Sequence, residues 1–145
     1  MARRKESRVH EQAATYAAKP IAHLMRETQD LVEDLKKNPG VSAVVLFGFQ
    51  ATGKARPNSD ADLAVLLNKT DRETEAEVGS MYSEKIDLAL FHRLPLYIQF
   101  RVFREGKTLY IGDEAHLLDT KLRTMRGYHE MQYHYEKRKK HIMTT

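Results

Sequence analysis

Two short apolar runs, Val44–Phe47 and Leu63–Leu67, flank a polar connection that carries Gly48, Gly53, Pro57 and Ser59. Both runs are rich in Val and Leu and bounded by turn residues, a pattern that predicts buried strands. The connection is too short for a parallel crossover, so the two strands should run antiparallel or belong to a mixed sheet. A third apolar run, Lys85–Phe91, predicts another strand. Leu94–Glu105 reads as a helix that Gly106 ends, and Lys107–Ile111 as a short fourth strand. Upstream, residues 4–37 read as helical with a break at Pro20, beyond which Ile21, Leu24, Met25, Leu31, Val32 and Leu35 form a stripe at helical spacing. Asn38-Pro39-Gly40 stops that helix. Thr70–Ser80 is acidic and polar, a surface helix or loop with no function assigned to it. Glu114 to Lys140 predicts a long amphipathic helix with Leu117, Leu118, Leu122 and Met125 on one face and a weak point at Gly127. The expected class is α+β (α/β-like): a small mixed β-sheet of about four strands packed with helices.

At 145 residues the chain is read as one domain, 1–145. Its parts are an N-terminal helical segment (1–38), a core (39–112) and a C-terminal helix with a basic tail (113–145). No apolar stretch is long enough to span a bilayer, and Met1-Ala2-Arg3-Arg4-Lys5 leads into polar sequence, so neither a signal peptide nor a membrane helix is expected. The absence of cysteine excludes disulfides and thiolate metal sites and suits the cytoplasm, the expected location. The net charge of +4 is unevenly spread. Residues 121–145 hold seven Lys and Arg against Glu130 and Glu136, a balance of +5, which leaves −1 for the rest. The aromatic run Tyr128–Tyr135 followed by Lys137–Lys140 allows nucleic-acid contact or protein docking, against the plainer reading of a helix with a basic last turn. His129 and His134 are spaced poorly for one metal on one helical face.

The chemistry lies at the mouth of the second strand. Asp60 and Asp62 are two residues apart, so in a strand both carboxylates share a face. Like charges that close repel, and a bound Mg²⁺ with oxygen ligands would relieve them. A solvated turn, Asn58-Ser59-Asp60, is the simpler reading of those residues. Two further features weigh against it: Gly48 stands twelve residues before Asp60, and Asp87 interrupts the third apolar run, where an acidic residue is disfavoured. Three carboxylates on neighbouring strand ends could hold two metal ions, suited to phosphoryl or nucleotidyl transfer. The run Gly48–Ala55 falls one residue short of a phosphate-binding P-loop, because Ala55 has no hydroxyl for Mg²⁺.

Gly48, Ala51, Gly53, Ala55-Arg56-Pro57, Ser59-Asp60, Asp62 and Leu63, with Asp87 as third acid, resemble the signature of the DNA polymerase beta-type nucleotidyltransferases, and most closely their minimal, antitoxin-type branch. The resemblance covers roughly residues 40–112 and implies that family's fold. It also implies transfer of NMP, most simply AMP from ATP, to an acceptor hydroxyl with a two-metal Mg²⁺ site. Asp60, Asp62 and Asp87 would be catalytic metal ligands. Gly48, Phe49, Gly53, Lys54, Arg56 and Ser59 would bind the nucleotide, Phe49 through its backbone N–H alone. Phe49 stands where the family has serine, and Thr52 where it has arginine. The branch resembles antitoxins that are paired with a HEPN-type toxin, some of which adenylylate a toxin tyrosine, so the expected partner is such a toxin or a second copy of the chain. Two alternatives stay open: a module of the same fold that neutralises a partner by contact alone, and a small-molecule (antibiotic-type) nucleotidyltransferase.

Overall fold

The computed structural model describes residues 25–48, 61–81, 83 and 85–144. In chain order these form α1 (25–36), β1 (Val41–Phe47), β2 (Ala61–Leu67), α2 (Arg72–Gly79), β3 (Ile86–Leu90), a 3₁₀ turn (Phe91–Arg93), α3 (Leu96–Glu105), β4 (Lys107–Ile111) and α4 (Glu114–Thr144). The four strands make one sheet in the order β3-β2-β1-β4. β1 pairs antiparallel with β2 and with β4, whereas β2 and β3 run parallel. The expected mixed four-stranded sheet with helices is therefore what forms, and β1 and β2 are antiparallel as their short connection requires. The parts of the expected N-terminal helix before residue 25, with Pro20, Ile21 and Leu24, lie outside the described residues.

β1 and β2 are the central strands, and their near-continuous apolar runs reflect burial on both faces. On one face Val41, Val44, Leu63, Val65 and Leu67 pack with Leu31, Val32 and Leu35 of α1 and Val78 of α2. On the other, Ala43, Val45, Ala64 and Leu66 meet Phe91, Val102 of α3 and Leu117 of α4. The result is three layers, with α1 and α2 on one side of the sheet and α3 and α4 on the other. A Leu35→Ala substitution would empty a site with no solvent exposure, at a cost of about 2–5 kcal/mol.

Three sequence expectations need correction. Met25 is exposed; the buried stripe of α1 is Thr28, Leu31, Val32 and Leu35, spacing i, i+3, i+4, i+7. On α4, Leu118 and Leu122 are 58% and 54% exposed, while Leu117 and Thr124 face the body. Leucine content suggested the wrong arc, because a threonine completes the inward face. The acidic Thr70–Ser80 segment is a helix with an inner side: Thr74 and Val78 are buried, and Asp71 caps it by accepting from the Thr74 backbone N–H at 2.7 Å.

Glu75 of α2 clamps the turn after β3. Its side chain, only 16% exposed, accepts from Arg93 Nη2 at 2.6 Å and pairs with His92. Those hydrogen bonds, Arg93's first and then His92's, hold the Glu75 carboxyl below its ordinary value of 4.5. Asp71, held down by Thr74, and Asp113, held down chiefly by the His116 backbone N–H and by Asn68, lie below their ordinary 3.8. Asp113 starts α4 as Asp71 starts α2, accepting from His116 N at 3.0 Å.

Gly127 sits inside α4 without interrupting it, and a Cβ there would meet the Leu96 methyls at 3.6 Å, an ordinary contact. Gly127→Ala should raise stability by about 1 kcal/mol, read as a higher urea midpoint; a lower midpoint would contradict this packing. The three depressed carboxyls fix a pH trend. A folded pKa below the unfolded one gives stability that is present above the ordinary values of 3.8 and 4.5 and lost as pH falls through the folded values. The urea midpoint should therefore drop below about pH 4.5, and drop less in Glu75→Gln than in the natural chain.

Candidate active site

The end of β1 and the start of β2 meet at one point of the sheet. Phe47 lies opposite Asp62 across the antiparallel pair, and Asp62 lies opposite Asp87 across the parallel pair. Residues paired in register point to the same face, so Asp62 and Asp87 stand side by side on adjacent strands, about 4.8 Å apart at the backbone. Alternation along β2 puts Asp62 on the same face as Ala64 and Leu66, the side covered by α3 and α4. Asp62 is half-buried and Asp87 is exposed.

Asp87 thus differs from its sequence reading in one respect. It is the second residue of β3 and reaches solvent, so burial does not by itself oblige it to find a partner. The parallel register, which the sequence does not display, is what places it beside Asp62.

Gly48 follows β1 directly, with φ of +83°, the left-handed region that glycine enters without penalty. A Cβ at this position would stand 2.6 Å from Asp62 Oδ2. The glycine therefore does two things: it turns the chain out of β1 and leaves the space that the Asp62 carboxylate fills. The sequence reading gave Gly48 only a place among the nucleotide-binding residues; its closeness to Asp62 emerges from the fold.

Phe49, Gly53, Lys54, Arg56, Ser59 and Asp60 lie outside the described residues. Among the described residues no cluster of three or more His, Asp or Glu could hold a metal ion, so Asp62 and Asp87 form a pair rather than a complete ligand set. Two adjacent carboxylates with hard oxygens suit Mg²⁺, which is commonly held by one or two carboxylates together with water and phosphate oxygens. The donors present fit that ion.

The tail reading changes as well. Tyr128 stacks on Phe100 of α3, with ring centroids 3.7 Å apart and planes 7° from parallel, so its ring is committed within the chain. Tyr133 and Tyr135 remain exposed. Among the described residues no helix is long and apolar enough to cross a membrane.

The family model described as polymerase beta, nucleotidyltransferase matches residues 29–115, more than half of the chain and all of the sheet. The chain belongs to the polymerase beta nucleotidyltransferase family. The protein adenylyltransferase MntA of Aphanizomenon flos-aquae is 33% identical over 97 residues, covering 55% of this chain and 65% of that protein. A Methanocaldococcus jannaschii protein, provisionally named a protein adenylyltransferase, is 31% identical over 77 residues, 53% of this chain and 61% of that one. The chain spans less than two thirds of the length of either relative. In fold, this nucleotidyltransferase resembles a chain of a toxin–antitoxin crystal structure with AMP-PNP: TM-score 0.60, 24% identity, 81% of this chain and 97% of that one. It also resembles a chain of the complex between the tri-AMPylated Shewanella oneidensis HEPN toxin and its MNT antitoxin: TM-score 0.58, 20% identity, 83% and 98% covered.

Gly48→Ala tests the site's geometry without any assay of activity. The forced φ and the contact with Asp62 should cost about 2 kcal/mol, seen as a lower denaturation midpoint. An unchanged midpoint would mean that the turn and the carboxylate are not held as described.

Proposed function

We propose that the chain is a minimal nucleotidyltransferase of the antitoxin type, which transfers AMP from ATP to a hydroxyl on a protein partner. The observation that carries this reading is the in-register pair Asp62–Asp87 beside Gly48, on strands of a polymerase beta-type sheet. In support, two relatives bear protein adenylyltransferase names, and chains of similar fold occur in complexes with HEPN toxins. The acceptor that best fits is a tyrosine hydroxyl of a HEPN-type toxin.

In the reaction, the acceptor oxygen forms a bond to the α-phosphorus while the bond from that phosphorus to the bridging oxygen breaks, and pyrophosphate leaves. Asp62 and Asp87, with Asp60, would hold Mg²⁺, which when bound neutralises charge on the phosphates and lowers the pKa of the attacking hydroxyl. Asp87, exposed at the strand mouth, would accept the acceptor's proton. Asp62 sits between Phe47 and Asp87, so its position is set by two ladders at once. Backbone N–H groups after Gly48 would cradle the phosphates, with Lys54 and Arg56 as further contacts.

Phe49 in place of the family serine favours a second reading, a contact-only module of the same fold. The two readings separate in one experiment. Wild type, Asp62→Asn and Asp87→Asn are each incubated with α-labelled ATP, Mg²⁺ and lysate of the source organism. Label should appear on a protein with wild type and fall by about 100-fold or more in either variant. Background labelling throughout, with a partner still captured by all three proteins, would reject transfer and leave the contact-only module.

A further inference from the structure

At the other end of β2, about 13 Å along the strand from Asp62, a cavity of about 350 Å³ opens between the sheet, α3 and α4. That volume lies in the range of small-molecule sites. Its apolar wall includes Leu66, Phe91 and Leu96, and its polar wall includes His116 and Arg123. Among the described residues no carboxylate lines it.

The polar groups have capacity to spare. Arg123 is tied to Asp119 through Nε at 3.0 Å, which leaves its two terminal nitrogens as a fork. His116 is anchored by Nδ1, 2.7 Å from the Oγ of the fully buried Ser42, and that hydroxyl also donates to the Leu66 carbonyl at 3.1 Å. Because the Ser42 proton goes to the Leu66 carbonyl, His116 Nδ1–H donates to Ser42 Oγ, which holds the imidazole in the wall and leaves Nε2 as an acceptor for a ligand N–H or O–H. Thr120, another lining residue, carries the one enclosed side-chain oxygen without a hydrogen-bond partner among the described residues. A wall with a guanidinium fork, an unpartnered hydroxyl and no lining acid favours negative charge, and the apolar side favours an organic body.

We infer that this cavity is a second ligand site, separate from the carboxylates, for a small organic anion. Its phosphate or carboxylate group meets Arg123 and the Thr120 hydroxyl, an N–H or O–H of the ligand, where it has one, donates to His116 Nε2, and its apolar or planar body lies against Leu66, Phe91 and Leu96. The site does not depend on the transfer reaction, since none of its residues belongs to the Asp62–Asp87 corner.

The test is an amide NMR titration of the full chain, without Mg²⁺, with AMP, benzoate and inorganic phosphate in separate arms. AMP and benzoate report which anionic group is preferred, and inorganic phosphate reports the contribution of charge alone. Shifts should centre on the amides around Leu96, His116 and Arg123 for at least one organic anion. Arg123→Gln should raise the dissociation constant about tenfold. Arg123 is 66% exposed at its side chain, so the variant should keep the fold. Arg126→Gln, on the same helix but outside the cavity, should bind as the natural chain does. The inference is overturned by shifts confined to Gly48, Asp62 and Asp87, by equal affinity in Arg123→Gln, by an equal loss in both variants, by inorganic phosphate binding alone, or by no shifts up to about 10 mM.

Discussion

The antiparallel pairing of β1 with β2 is the constraint on which the rest of the molecule depends. These two strands supply Ala43, Val44, Leu63, Ala64 and Val65, all without meaningful solvent exposure, to the two cores that flank the sheet. Every helix described packs against one face or the other. The same ladder carries the register Phe47↔Asp62, which brings the chain's exit from β1 against the carboxylate at the start of β2. A shift of one residue would turn the apolar side chains of β2 to the wrong faces, so core burial and site geometry are held by one register.

That shared register explains why Gly48 carries two requirements. The positive φ lets the chain leave the strand, and the missing Cβ lets Asp62 come close. β3 then adds Asp87 by running parallel to β2, a pairing made through the intervening α2 rather than through a hairpin. Glu75 on α2 ties that helix to His92 and Arg93 just beyond β3. The clamp anchors the far end of the strand whose near end presents Asp87.

The two ends of β2 are chemically opposite. One presents carboxylates suited to a cation, and the other opens on a cavity with Arg123 and His116. α4 borders that cavity with its first half. Its second half, beyond the Phe100–Tyr128 stack, is largely exposed and carries the basic run Lys137–Lys140.

Much of this was legible in the sequence, because strand identity and the placing of Asp62 at the start of β2 follow from short-range patterns. Apolar runs, turn residues and spacing gave β1, β2, their antiparallel pairing and the family signature. Those signals are local, involving residues a few positions apart on one strand. Tertiary structure alone decided which strand lies beside β2, and so put Asp87, an exposed acid at a strand mouth, next to Asp62. It also chose the inward arcs of the helices, favouring Thr28 over Met25 and Thr124 over Leu122. A helix buries whichever side its neighbours cover, and hydrophobicity along the chain does not encode where those neighbours sit. The cavity beside Arg123 belongs to the same category: its walls come from β2, the turn after β3, α3 and α4, and only their packing brings them together.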